Sequence, residues 1–245
     1  MNNEPGADSD CAKGAVMLLG SLYWEGNDPV CDGRKGENRK AWRDTQVEMS
    51  GCRDLPGIPI RYGRRSDSRN GQFTIVLGGK PHGVAKIANL KNSLPVEGGG
   101  LAEKTVETLK REVEALAKAE GIWNEGNKKH YTTWGLVCIA INPKSKFHEQ
   151  IRECWTTHFR PGDSFNPSNY GDGILDKDGI LLSSLTDLAW KGLDFCLATP
   201  TKPTSPVPSA KVIAEADKSA SYFRRTLESG IRTPDDDEIK KYLGK

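Results

Sequence analysis

Residues 14–24 read Gly14-Ala15-Val16-Met17-Leu18-Leu19-Gly20-Ser21-Leu22-Tyr23-Trp24. The unbroken apolar run 14–19 predicts a short strand buried on both faces. Gly20-Ser21-Leu22 then stops the strand in a tight turn, because glycine adopts backbone angles that other residues resist. Successive N–H groups in such a turn suit a carboxylate or a phosphate. The tripeptide alone has low specificity. It is not a Walker A loop, which needs Gly-Lys-Ser/Thr, and not a dinucleotide fingerprint.

Working outward, residues 1–13 are polar and acidic and predict a disordered tail. Residues 25–43, rich in Gly, Asp, Asn and Arg, predict a loop with a short helical turn near Trp42. Strand pieces at 47–52 and 58–62 flank a turn at Leu55-Pro56-Gly57. Residues 63–71 form a basic loop ending in Asn70-Gly71, a hairpin signal, and 72–77 return as a strand. A turn at 78–81 leads to a strand at 83–90. A helix is expected at 101–120 and a strand at 131–141, stopped by Asn142-Pro143. The last third predicts a helix at 146–159, a loop at 160–179 and short strands at 180–182 and 194–198. A proline-rich segment at 200–208, a helix at 210–230 and a capped tail at 234–245 follow. No internal repeat is visible. This order predicts an α+β fold, with a tail at 1–13, a core at 14–145 and an extension at 146–245 packed on that core.

The chain has 245 residues and a formal net charge of +2. That length suits one large domain, or a domain with a substantial extension. The small net charge gives no global grip on nucleic acid. The N-terminus lacks a basic start and an apolar run, so no secretory signal is read there. No apolar run reaches a membrane span. The six cysteines show no Cys-x-x-Cys pair and no zinc spacing to histidine, which predicts reduced thiols and a cytoplasmic location. Cys138 and Cys196 lie inside apolar runs and are expected to act as buried small hydrophobes. His82, His130, His148 and His158 do not cluster at metal spacing, so no metal site is read.

At about 100° per residue, Val106, Leu109, Val113, Leu116 and Ala117 share one stripe of the 101–120 helix. Glu120 falls within that stripe, whereas Glu103, Glu107, Glu112 and Glu114 fall off it. A buried carboxylate must be paired or neutral, and the neutral outcome raises its pKa toward the range useful in acid–base catalysis. A frayed, solvent-facing helix end is the alternative, because helix ends are poor places to trust phase.

The sequence resembles the γ-glutamylcyclotransferase-like family, including its glutathione-degrading ChaC-like branch. The resemblance rests on four segments in order. They are Leu19-Gly20-Ser21-Leu22-Tyr23-Trp24, the Arg/Trp-rich stretch 39–43, the strand beginning Gly83-Val84-Ala85, and Leu116-Ala117-Lys118-Ala119-Glu120-Gly121 followed by Tyr131. It covers about residues 14–142. It implies a mixed small β-barrel or sheet with packed helices. It also implies substrate binding by Gly20, Ser21, Leu22 and Tyr23, and acid–base catalysis by Glu120. Glu112, in an Arg-Glu pair, is a second match, although helical phase favours Glu120. Leu19 stands where the family has tyrosine, and the last hundred residues have no counterpart. The implied reaction closes 5-oxoproline from a γ-glutamyl group of a small molecule without metal or organic cofactor.

Arg61, Arg64 or Arg65 could clamp such a substrate, with a solvated hairpin tip as the alternative. Two other classes stay open. Arg61, Arg64, Arg65 and Arg69, beside Tyr62, form a local patch for nucleic-acid phosphates, with Trp123, Trp134 and Trp155 as stacking faces. Asn142-Pro143 and Asn166-Pro167-Ser168 bear a faint likeness to motifs of base-excising DNA glycosylases, at too short a separation. The third class is a non-catalytic member of the fold that binds a small anion or a partner.

Overall fold

The run Gly14–Leu18 forms strand β2, and all five of its residues are buried. The computed structural model describes residues 11–26, 29–69, 71–78, 83–96, 103–163, 165–182, 190–217 and 222–244. β6 (Gly83–Leu90) pairs with β2 antiparallel, and β9 (Phe195–Ala198) pairs with it parallel. β3 (Val47–Ile58) lies outside β6 and β8 (Cys138–Ile141) outside β9, giving the order β3-β6-β2-β9-β8. Strand alternation explains the continuous apolar run. Ala15 and Met17 face one core with Cys196 and Ala198, while Val16 and Leu18 face a second with Phe195 and Leu197.

Each core has its own cover. β4 (Ile60–Ser66) and β5 (Gln72–Leu77) form a separate hairpin over the first. Short helices α5 (Ala210–Ala216), α6 (Tyr222–Glu228) and α7 (Asp236–Leu243) complete that layer. The second core lies under α3 (Glu103–Glu120) and α4 (His148–His158). α1 (Ser21–Trp24) and α2 (Pro29–Gln46) carry the chain from β2 to β3. The α+β class stands, with a mixed five-stranded sheet. Among the described residues the strands form no closed barrel. No described helix is long and apolar enough to cross a membrane.

Several expectations need correction. Residues 11–12 are not tail but β1 (Cys11–Ala12), paired with β7 (Leu94–Pro95), and Ala12 is fully buried. Residues 1–10 lie outside the described set, as do Leu101, Ala102 and His82. The polar stretch 25–43 is mostly α2, kinked where Gly33 leaves helical angles. Its inner face carries arginines instead of leucines, so hydrophobic periodicity could not reveal it. Leu55-Pro56-Gly57 is no turn; β3 runs through it with register shifts against β6. The 131–141 strand shrinks to β8, preceded by isolated bridges. The helix at 210–230 divides into α5 and α6.

The boundary at residue 145 is crossed by the sheet. β9 sits between β2 and β8, so the last third supplies a central strand. Cys138 and Cys196 are fully buried, and the five cysteines whose side chains are described form no disulfide with one another.

His130 is buried in the second layer, edge-on to Tyr131, Trp155 and Phe159. Its Nε2 has no hydrogen-bond partner among the described residues. Desolvation pushes its pKa down to about 4, only partly opposed by a backbone bond to Phe159. An unfolded histidine binds its proton near pH 6.5, so the unfolded state takes up more protons between pH 6.5 and 4. Stability therefore falls as pH drops through that window, by about 3 kcal/mol from this group. Asp217 is raised to about 6, chiefly by desolvation, and acts in the opposite sense between about pH 4 and 6. Subtracting urea-unfolding curves of His130→Phe from wild type isolates the histidine contribution. A difference that does not change with pH would remove this account.

Candidate functional site

The turn after β2 has a defined geometry. Gly20 has φ 50° and ψ −126°, and the Leu22 N–H donates to the Leu19 carbonyl at 3.2 Å. This is a type II′ turn, whose first central position demands glycine. The N–H of Tyr23 donates to the Gly20 carbonyl at 3.0 Å. The N–H groups of Leu22 and Tyr23 are thus spent on the turn itself, so the full nest expected is not available to a ligand. Crowding reinforces the glycine. A Cβ there would lie 2.1 Å from the Tyr222 hydroxyl, which itself accepts the Ile75 N–H at 3.3 Å.

Ser21 and Glu120 line one pocket with Lys35, Arg39, Arg64, Arg69, Trp134 and Tyr222. Leu19, Ser66, Thr74, Ile75, Thr199 and Thr201 complete its wall. Position follows from the sheet. β2 and β9 run parallel, so the residues just beyond their carboxyl ends, Ser21 and Thr199, meet at one edge, where crevices form in such sheets. α3 brings Glu120 to the same edge.

Arg39 organises the deep end. Its Nη1 donates to Ser21 Oγ at 2.7 Å and also to Glu25. Its Nη2 donates to Glu120 Oε2 at 2.5 Å. Glu25 accepts a second bond from Arg69. Arg39, Glu25 and Glu120 are all buried. Burial alone would push the Arg39 guanidinium down, but Glu120 and Glu25 outweigh it and hold its pKa above the ordinary arginine value. Glu120 therefore meets the cost of burial by pairing with a cation. The same pairing offsets a carboxylate placed at the negative end of α3. One turn along α2, Arg43 donates to the carbonyls of Leu22 and Glu25, groups that α1 is too short to satisfy itself.

The mouth is cationic and aromatic. Arg64 lies over the Trp134 ring at 4.1 Å, with Lys35 at 5.9 Å from the same ring. The enclosed volume is about 40 Å³, room for a few waters at most. A larger ligand enters only if these mouth side chains move. Two larger hollows, about 470 and 380 Å³, lie along the outer faces of α2 and α3. Neither is lined by a buried charged side chain, so converging charge and not volume marks the site.

The other candidates sit elsewhere. Leu22 is buried in the second core, and Tyr23 lies outside the pocket wall beneath Lys86. Arg61 is not part of the wall, and Arg65 is exposed. Glu112, expected off the apolar stripe, is fully buried all the same. It stands two turns before Glu120, about 12 Å along the helix axis. It accepts from Asn92 at 2.8 Å and from Gln46 at 3.1 Å once that amide is turned. Desolvation raises its pKa, and the Asn92 bond opposes the rise. Trp155 is buried and donates its indole N–H to Asp178, so it offers no stacking face. Of the basic loop, Arg64 and Arg69 turn into the pocket and do not form a common outer patch with Arg65.

Lys35, Arg39, Thr199, Thr201 and Tyr222 escaped sequence reasoning as pocket residues, as did Glu25 behind the wall, and Trp134 was read only as a stacking face. One signal was present: Lys35, Arg39 and Arg43 recur every four residues, a polar stripe at helical period. Among the described residues no group of three or more His, Cys, Asp or Glu side chains is placed to hold a metal. No family model, curated protein or solved structure matches the chain.

Arg39→Met removes the cation between two buried carboxylates and is expected to lower stability by about 3–5 kcal/mol. A loss under about 1 kcal/mol in urea unfolding would mean that the network does not hold the site together. Gly20→Ala meets both a forbidden φ and the Tyr222 hydroxyl. Its destabilisation should shrink in a Tyr222→Ala background, and equal losses in both backgrounds would rule out the crowding.

Proposed function

We propose that the chain is a γ-glutamylcyclotransferase-like enzyme, with Glu120 as its acid–base group. The observation that carries this reading is that Ser21 and Glu120 share one pocket and one guanidinium, that of Arg39. The α-amine of a γ-glutamyl group attacks its own side-chain carbonyl carbon. A five-membered lactam, 5-oxoproline, closes, and the amide C–N bond breaks to release an amine. One proton must leave the attacking nitrogen and one must reach the departing nitrogen. Arg39 occupies Glu120 Oε2, so Oε1 is the oxygen that carries this proton. The N–H groups of Gly20 and Ser21 polarise the carbonyl or hold the α-carboxylate. The chemistry calls for no metal and no organic cofactor.

Entry requires Arg64 and Lys35 to swing away from Trp134, since the closed pocket is smaller than a glutamyl group. Four cations against two carboxylates in and behind the wall make the pocket electropositive, which suits an acidic substrate.

The test is release of 5-oxoproline from γ-glutamyl peptides and γ-glutamyl alkylamines. Glu120→Gln should lower kcat by at least about 10²-fold. Gln keeps an acceptor for Arg39, and Glu25 keeps the opposite charge, so the variant should remain folded. Absence of 5-oxoproline from every γ-glutamyl compound would end this reading. Full activity in Glu120→Gln together with loss in Glu112→Gln would reassign the acid–base group.

A further inference from the structure

Away from the charged pocket, the hollow of about 470 Å³ beside α2 and α3 has two indoles in its wall, Trp42 and Trp123. Trp42 is 5% exposed, and Trp123 is half-buried. The Nε1 of each is buried and has no hydrogen-bond partner among the described residues. A buried N–H without an acceptor forfeits the bond that water would have given it. The polar neighbours do not supply one. Thr45 donates its hydroxyl back to the Ala41 and Trp42 carbonyls. Gln46 is engaged with Asn92 and, once its amide is turned, with Glu112. Lys118 stands over the Trp123 ring and is paired with Glu114 and Glu125. Between these groups the wall is made of small residues, Ala41, Ala115, Ala119 and Gly121.

We propose that this hollow is a second ligand site, for a neutral, flat ring compound whose carbonyl oxygens accept from Trp42 and Trp123. Its volume falls in the range of small-molecule sites. The ligand class follows from the donors and the charge. Both unmet groups are donors only, so the ligand must bring acceptors. The cation of the wall, Lys118, is already matched by two carboxylates, so an anion meets no uncompensated positive charge there. Alanine and glycine side chains leave a flat ring room to lie against the helices. The site is separate from the first pocket. Asn38 and Gly121 line it, whereas their chain neighbours Arg39 and Glu120 line the first pocket. A ligand here therefore braces the two helices that the Arg39–Glu120 bond joins. The inference needs no reaction and does not rest on the cyclotransferase reading.

Three small probes test this. N-methylphthalimide is neutral and flat, with a carbonyl on each side of its imide nitrogen. Indane has a similar fused-ring shape and no acceptor. Phthalate carries two carboxylates in place of the imide. The full chain, labelled with ¹⁵N, gives one indole N–H signal for each of its six tryptophans. The imide should shift the Trp42 and Trp123 signals and leave that of Trp134, at the charged pocket, in place. Titration should show the imide binding at least about tenfold more tightly than indane or phthalate, as two neutral hydrogen bonds provide. Trp123→Phe removes one donor at a half-buried position. It should weaken the imide about fivefold and leave indane within about twofold. Ala115→Trp fills the hollow from a half-buried helix position and should abolish imide binding, with urea unfolding checking that the variant is folded. Equal binding of imide and indane, tighter binding of phthalate, unchanged binding in folded Ala115→Trp, shifts confined to other tryptophans, or no binding would each overturn the site. No turnover is measured, so the outcome is separate from that of 5-oxoproline release.

Discussion

Arg39 ties both ends of α1, Ser21 in the turn after β2 and Glu25 just past the helix, to the end of α3 through Glu120. Its charge is what allows two carboxylates to be buried at the edge of the sheet. Remove it, and the deep end of the pocket holds like charges with too little compensation. A pocket built this way cannot be relaxed one residue at a time, because each partner is buried for the sake of another. That coupling gives a fixed geometry at the deep end, whereas the mouth, lined by half-exposed Arg64 and exposed Lys35, is free to admit a ligand.

The sheet supplies the other constraint. The type II′ turn at Gly20 leaves no room for a side chain because Tyr222 from α6 is already there. Thr199 and Thr201 reach the pocket because β9 lies directly beside β2. The last third of the chain is thus a structural partner of the first, and the pocket contains residues from both. Truncating or swapping that third would alter the site as well as the core.

Physical chemistry also separates the two carboxylates that α3 offers. Glu112 is the more deeply buried, with neutral amide partners and a raised pKa. Glu120 has a cationic partner and faces an opening. Burial alone would have chosen the first. A group that moves protons for a substrate must also touch it, and within the described structure only Glu120 lines the pocket with Ser21.

Strand β2, the glycine turn, the hairpin β4–β5, β6 and the phase of α3 at Glu120 were all legible in the sequence. Each depends on local rules: apolar runs, glycine conformations and helical period. Helix α2 was not legible, because its buried face holds Gly36, Arg39, Trp42 and Arg43, with a single large apolar side chain and so no apolar period. Its contacts are ion pairs with Glu25 and Glu120, and no local pattern announces a charge that is buried only because a distant charge meets it. The place of β9 was equally hidden, since Phe195–Ala198 reads as an apolar strand wherever it is inserted. Sequence, through the resemblance, could thus propose the Gly20–Leu22 loop and Glu120 as a pair facing one pocket. Only the folded chain could join Ser21 to Glu120 through Arg39, set Leu22, Tyr23 and Glu112 apart, and bring Thr201 and Tyr222 to the same wall.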